Sequence, residues 1–146
     1  MDSFASHGVL NRARQCEVVS NKLDALQVRP RGMRRPVRQL SGGNQQKVVL
    51  GKWMLVENTR IFIFDEPTRG VDIATKVEIY RILDELAAAG QAILLISSEM
   101  PEVLGLCDRL IIMRNGRIAT ILDRAKFDME TVFAHAAGID TASSTV

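Results

Sequence analysis

Two adjacent carboxylates, Asp65 and Glu66, follow the short apolar run Ile61-Phe62-Ile63-Phe64. Carboxylates at the end of a buried strand are costly unless they meet a metal, a donor or water. The pair can serve a phosphate site, with Asp65 handling Mg²⁺ and Glu66 activating water. It can also be two exposed loop carboxylates, and the apolar run before it and Pro67-Thr68 after it favour the site. A second cluster, Leu40-Ser41-Gly42-Gly43-Asn44-Gln45-Gln46, stands at a helix start. Its glycines leave backbone N–H groups open to an anion, which the helix dipole also favours, and Ser41 adds a hydroxyl donor. A serine cap with a flexible glycine entry accounts for the same residues without a ligand.

The elements that must position these groups follow from periodicity. Ser41 caps a helix in which Val49, Trp53 and Val56 recur at helical spacing, with Leu50 and Met54 widening the stripe and Lys47 and Lys52 on the surface. Ile61 to Phe64 reads as a strand buried on both faces. Asp72 can cap a second helix, with Ile79, Ile82, Leu83 and Leu86 on one face and Gly90 just past its end. Ala92 to Ile96 is a second buried strand. Pro101 suits the first turn of a short helix to about Leu106, with Ser97 or Ser98 helping to cap it. Leu110 to Met113 and Ile118 to Leu122 are strands joined across Asn115-Gly116, a hairpin signal. Phe127 to Ala137 is a terminal helix. Upstream, Ala13 to Leu26 forms a helix with Val18, Val19, Leu23 and Leu26 on one side. Val28 to Arg38, with five arginines and no acid, is a solvated loop or a contact for phosphate or a partner. Alternating strands and helices imply an α/β fold with a parallel sheet, whose chemistry belongs at the carboxyl ends of the strands. That rule points to the residues after Phe64 and after Ile96.

Composition bounds the function. The chain has 146 residues, 47% apolar and 25% charged, as expected of one globular domain. Aromatics at 5% argue against a stacking platform for bare nucleic acid, and a net charge of +2 gives no general pull toward nucleic acid or membrane. No apolar run approaches the ~20 residues that span a bilayer. Met1 to Leu10 lacks the basic stretch and apolar block of a signal peptide. Cys16 and Cys107 read as reduced, packed thiols of a cytosolic protein, and His135 as a surface or packing residue. His7 lies near a loose terminus.

Leu40 to Gln46 resembles the signature motif of ATP-binding-cassette (ABC) ATPases, and Ile61 to Glu66 resembles their Walker B strand with its catalytic glutamate. Arg69-Gly70-Val71-Asp72 is similar to the D-loop. The wording of Glu66 to Asp72 and of Ser97 to Val103 resembles the second cassette of the double-cassette ATPases that drive bacterial ribose, xylose or galactose-type importers. The resemblance runs from Arg12 to Gly138. It implies a partial P-loop NTPase domain, mainly parallel sheet with flanking helices, a carboxyl-terminal hairpin and a terminal helix. The expected organisation is a remnant of the helical subdomain with an arginine-rich loop over 1–39, the signature helix and α/β part over 40–138, and a flexible tail over 139–146.

The resemblance also implies roles. Two cassettes close head to tail on two ATP molecules, and Ser41, Gly42, Gly43 and Gln45 belong to the nucleotide-binding set. Asp65 acts through the Mg²⁺ shell, Glu66 polarises the attacking water, and Asp72 lies at the cassette interface. Ser98 occupies the catalytic switch position, where the family usually has histidine. The implied cofactors are ATP and Mg²⁺. The implied partners are a second cassette, membrane permease subunits and, indirectly, a periplasmic sugar-binding protein, with no nucleic acid. The implied location is the cytoplasmic face of the bacterial inner membrane, peripherally bound.

The sequence departs from the family pattern in having no Gly-x-x-x-x-Gly-Lys-Ser/Thr and no glutamine-bearing loop. The expectation is therefore the carboxyl-terminal portion of a larger sugar-importer ATPase, beginning inside its helical subdomain and nearly inactive alone. One alternative is a non-hydrolytic remnant or regulatory module docking on a complete cassette. Another is a DNA-maintenance ATPase, which needs long coiled-coil arms; no sustained heptads occur here.

Overall fold

In the computed structural model, which describes residues 4–6 and 9–139, almost every helix begins where a short polar side chain can hold its first amides. His7 and the expected tail from residue 140 onward lie outside the described residues. The chain forms two compact units, Met1–Leu94 and Leu95–Val146.

The first unit opens with strands β1 (Ala5–Ser6) and β2 (Val9–Leu10), paired antiparallel with Ala5 opposite Leu10. This short ribbon has no periodicity that would announce it. Helix α1 (Arg12–Ala25) is capped by Asn11, whose Oδ1 accepts the Arg14 N–H at 3.0 Å. Helix α2 (Gly42–Met54) is capped by Ser41. The end of the first helical segment meets α2 so closely that a Cβ on Gly51 would lie 2.6 Å from Leu26 Cδ1. Between them the arginine loop encloses a cavity of about 460 Å³ with Val19, Leu23, Val28, Met33, Val37 and Val48 in its walls. Arg31 pairs with Asp24 at 3.0 Å, and the Arg29 N–H donates to Asn44 Oδ1 at 2.8 Å, so the loop is tethered to both helices.

Strand β3 (Ile61–Asp65), helix α3 (Ile73–Ala88) and strand β4 (Ala92–Ile96) follow. The Ala92 N–H donates to the Arg60 carbonyl at 2.8 Å, so β3 and β4 pair from the same end and run parallel. Among the described residues parallel pairing is confined to these two strands, and the sheet is partial. The predicted face of α3 is buried at Ile79, Ile82, Leu83 and Leu86.

Four expectations are corrected here. β3 is buried on one face only: Phe62 and Phe64 are inside with stacked rings 5.7 Å apart, while Ile61 and Ile63 are 65% and 67% exposed. In β4, Ala92, Leu94 and Ile96 are likewise exposed. The predicted stripe also points outward, at Val49 and Trp53 of α2 and at Val56 just past its end, and with β3 it borders a groove of about 480 Å³. Apolar patterning reports which face avoids water, and here no described residue covers that face. Lys47, expected on the surface, is buried. Its Nζ donates to Glu78 Oε2 at 2.7 Å and to the Gln27 carbonyl at 3.1 Å. A long amphipathic stem lets lysine cross an apolar interface when acceptors wait at the far side. Lys52 is exposed as expected, 5.2 Å from the Trp53 ring.

The second unit contains helix α4 (Met100–Leu106), the antiparallel strands β5 (Arg109–Arg114) and β6 (Arg117–Asp123), and helix α5 (Met129–Ala137). Asn115 and Gly116 turn the hairpin with φ of 51° and 73°, the left-handed pair that a two-residue turn requires. Leu110, Ile112, Leu122 and Val132 form the core, with Val103, Leu104, Cys107 and Phe127 packed around it. Burial pushes the Cys107 thiol up, with Asp108 and Glu102 adding to the effect, which agrees with a packed thiol. Cys16, also expected to be packed, is exposed on α1. The Arg124 guanidinium donates to the carbonyls of Cys107 at 2.8 Å and Gly105 at 3.1 Å, satisfying groups that the end of α4 leaves open. No helix of the described residues is long and apolar enough to cross a membrane.

Because Glu78 keeps partial contact with water, losing its partner costs less than breaking a fully buried pair. Lys47→Ala should lower the unfolding free energy by about 2 kcal/mol, and Lys47→Met, which refills the stem volume, by less. Urea denaturation of the three proteins measures the difference.

Candidate active site

The start of α2 is a Ser-Gly-Gly turn at the positive end of the helix. Ser41 Oγ accepts from the Asn44 side-chain amide at 2.8 Å and, more weakly, from the Asn44 backbone N–H at 3.5 Å. Its hydroxyl hydrogen finds no acceptor among the described residues, and neither do the backbone N–H groups of Gly42 and Gly43. Unpaired first-turn amides at the positive end of a helix favour a phosphate oxygen. Gln45 is directed elsewhere: its side-chain amide donates to the Leu40 carbonyl at 2.9 Å and braces the entry turn.

At the carboxyl end of β3, Asp65 is exposed and Glu66 is half-buried. Glu66 has φ of 48°, in the left-handed region that a residue with a Cβ adopts at a cost. The turn that follows is held by the Arg69 N–H donating to the Glu66 carbonyl at 3.2 Å and by buried Pro67 and Thr68. Among the described residues no three His, Cys, Asp or Glu side chains gather into a metal cage. Mg²⁺ needs no such cage, because it keeps several waters and binds through one or two carboxylates together with substrate phosphates. Asp65, open to water beside Glu66, fits that donor set.

Asp72 caps α3 with both oxygens on one residue: Oδ1 accepts the Thr75 N–H at 2.9 Å and Oδ2 accepts the Thr75 hydroxyl at 2.8 Å. These two bonds hold the Asp72 carboxyl below the ordinary aspartate value. Thr75 in turn meets α2, since a Cβ on Gly43 would lie 2.6 Å from both Oγ1 and Cγ2 of Thr75. A Cβ on Gly42 would lie 3.8 Å from the Gly70 carbonyl. Ser41, Gly42, Gly43 and Asp72 are therefore brought together, with Thr75 as the hinge pin that sequence reading missed. An Asp followed three residues later by Thr was the available signal for the cap; nothing in the sequence pointed to the contact with Gly43.

Ser98 stands in the second unit, exposed after β4. The N-cap position of α4 falls on neither Ser97 nor Ser98. Glu99 is the N-cap residue, and Ser97 Oγ accepts the Glu99 N–H at 3.0 Å in a local turn.

The ABC transporter family profile matches residues 3–69, a span that holds the Ser-Gly-Gly helix start and the Asp-Glu strand end. The chain is 45% identical over 142 residues to the arabinose import ATP-binding protein of Rhizobium meliloti (strain 1021), covering 97% of this chain and 28% of that protein. It is also 45% identical over 138 residues to the ribose import ATP-binding protein of Geobacillus kaustophilus, covering 94% of this chain and 28% of that one. The chain thus spans a little over a quarter of the length of these curated relatives. Among solved structures, a dimeric bacterial ABC transporter cassette superposes with a TM-score of 0.70 at 23% identity, covering 86% of this chain and 53% of that chain. The ADP conformation of another ATP-binding cassette of an ABC transporter superposes with a TM-score of 0.65 at 26% identity, covering 83% and 45%.

Two measurements on the chain follow. Glycine tolerates the left-handed region and β-branched residues resist it, so Glu66→Gly should be more stable than Glu66→Val by about 1–2 kcal/mol in urea denaturation. Thr75→Val removes one of the two donors to Asp72, so the Asp72 carboxyl should titrate closer to the ordinary aspartate value in an NMR titration. The stability that this cap adds is complete above the unfolded-state titration of Asp72. It is lost as pH falls from there through the lower folded-state value, and in Thr75→Val the loss is smaller and is complete at higher pH.

Proposed function

We propose that this chain is the carboxyl-terminal part of the second ATP-binding cassette of a sugar-importer ATPase, which hydrolyses ATP to energise carbohydrate uptake. The observation that carries the reading is the start of α2, where the exposed Ser41 hydroxyl and the Gly42 and Gly43 amides have no acceptor among the described residues. In this reading residues 1–39 are the remnant of the helical subdomain with its arginine loop, and 40–138 are the signature and α/β part. Ser41, Gly42 and Gly43 contact the γ-phosphate of ATP held by a second cassette, while Gln45 shapes the turn from behind. Asp65 belongs to the shell of Mg²⁺, which supplies charge neutralisation for the phosphates when bound. Glu66 orients the attacking water and takes its proton, and its constrained backbone supports that role by limiting where the carboxylate can go. Asp72 lies at the interface with the second cassette, and Ser98 at the switch position offers only a hydroxyl to the nucleotide.

The exposed apolar groove between α2 and β3 supports the reading that the rest of a cassette packs there. The further partners are membrane permease subunits and, through them, a periplasmic sugar-binding protein, with the subunit held peripherally on the cytoplasmic face of the bacterial inner membrane.

The test is a chimera in which this chain replaces the matching segment of a ribose import relative. Glu66→Gln keeps shape and hydrogen bonding but removes the base. ATP should still bind, while single-turnover hydrolysis at the site containing Glu66 falls by ~10²–10⁴. An unchanged rate removes Glu66 from this role. A chimera that binds ATP without hydrolysing it at this site supports the non-hydrolytic docking module instead.

A further inference from the structure

Helices α2 and α3 are fastened at two levels. At the first, Gly43 is buried against Thr75 with no room for a Cβ, and Thr75 is clamped by both oxygens of Asp72. At the second, one turn further along each helix, Lys47 bonds Glu78 at 2.7 Å. The two levels are four residues apart on α2 and three apart on α3, the spacings that keep side chains on one helix face. Threonine suits the first level because its β-branch allows little rotation about χ1. With the hydroxyl bonded to Asp72, its oxygen and methyl form a fixed wall against the Gly43 backbone. Thr75 therefore limits how closely the first turn of α2 can approach the Asp72 loop.

We propose that Thr75 is a positioning residue for the phosphate-contacting turn, coupling the Asp72 loop to the Gly42 and Gly43 amides, and that Gly43 is glycine because Thr75 occupies the space its side chain would need. This rests on the reading of Ser41–Gly43 as that turn. It separates two reasons for a glycine at position 43. If the phosphate itself demands a bare backbone, nothing done at Thr75 can relieve a side chain there. If Thr75 demands it, shortening Thr75 does, because truncation to alanine removes the two 2.6 Å contacts and leaves Thr75 Cβ at 3.0 Å as the nearest atom.

The experiment compares Gly43→Ala, Thr75→Ala and the double variant by thermal melting of the chain and by single-turnover ATP hydrolysis in the chimera. Gly43→Ala should lower the melting midpoint by about 5 °C or more. It should also slow hydrolysis at saturating ATP by ~10–100-fold with little change in KM, because the turn is displaced rather than the nucleotide released. The double variant should melt near Thr75→Ala and hydrolyse ATP within about 3-fold of it, an interaction that only neighbouring residues show. A double variant that melts near Thr75→Ala but hydrolyses as slowly as Gly43→Ala overturns the proposal, as does a Gly43→Ala protein that melts like the wild type. Absence of ATPase activity in the unmutated chimera counts against the proposed function, and the melting comparison then decides the Thr75 contact independently.

Discussion

A helix end can hold an anion only if its first turn does not fray, and first turns are the least restrained part of a helix. In the proposed site that constraint falls on the turn from Ser41 to Gly43. The Gly42 and Gly43 amides of this turn have no acceptor among the described residues, and the turn is held by its neighbours. Asn44 reaches back to Ser41 and also accepts the Arg29 amide, Gln45 ties down the Leu40 carbonyl, and Thr75 closes the inner face. Each of these groups is polar and sits beside the turn rather than under it. The result is a helix end fixed by hydrogen bonds while its two leading N–H groups find no acceptor among the described residues.

The buried Lys47 serves the same end at lower resolution. An ammonium taken from water is costly unless it is paired and bonded. The Glu78 carboxylate and the Gln27 carbonyl both meet it. This contact joins three stretches at one point: the exit from α1, the middle of α2 and the second turn of α3. Directional bonds here set the axial position of α2 along α3, which apolar side chains sliding past one another would leave loose. The wider apolar surface has the opposite character. Val49, Trp53, Ile61 and Ile63 lie open around a groove, and the curated relatives extend well beyond the matched segment. A surface of that composition is one that more protein is expected to cover.

Strain is placed where chemistry is proposed. Four residues other than glycine adopt the left-handed region among those described: Gln27, Asn58, Glu66 and Asn115. Asn115 turns a hairpin, a position that suits asparagine. Gln27 stands just past the end of α1 and gives its carbonyl to Lys47. Glu66 has neither the turn-forming side chain of asparagine nor a helix end to finish. Its conformation swings the chain sharply after Asp65, so that the two carboxylates of the pair leave the strand in different settings, one exposed and one half-buried.

What the sequence determined by itself is local. The caps at Ser41 and Asp72, the helical face through Ile79 and Leu86, the Asn115-Gly116 turn and the Asp65-Glu66 pair at a strand end were all readable, because each depends on residues within a few positions of one another. The family wording was readable for the same reason. Tertiary structure alone decided which apolar stripes are covered, since periodicity marks a face and not its partner; Ile61, Val49 and Trp53 were expected inside and lie outside. It also decided the fate of Lys47 and the meaning of Gly43. A lysine at helical spacing looks solvated until a carboxylate 31 positions away is brought to it. A glycine at a helix start looks like a concession to a ligand until Thr75, from the next helix, is seen to fill the space beside it. Both outcomes depend on where two helices meet, and that distance is set by packing over the whole unit rather than by any window of the chain.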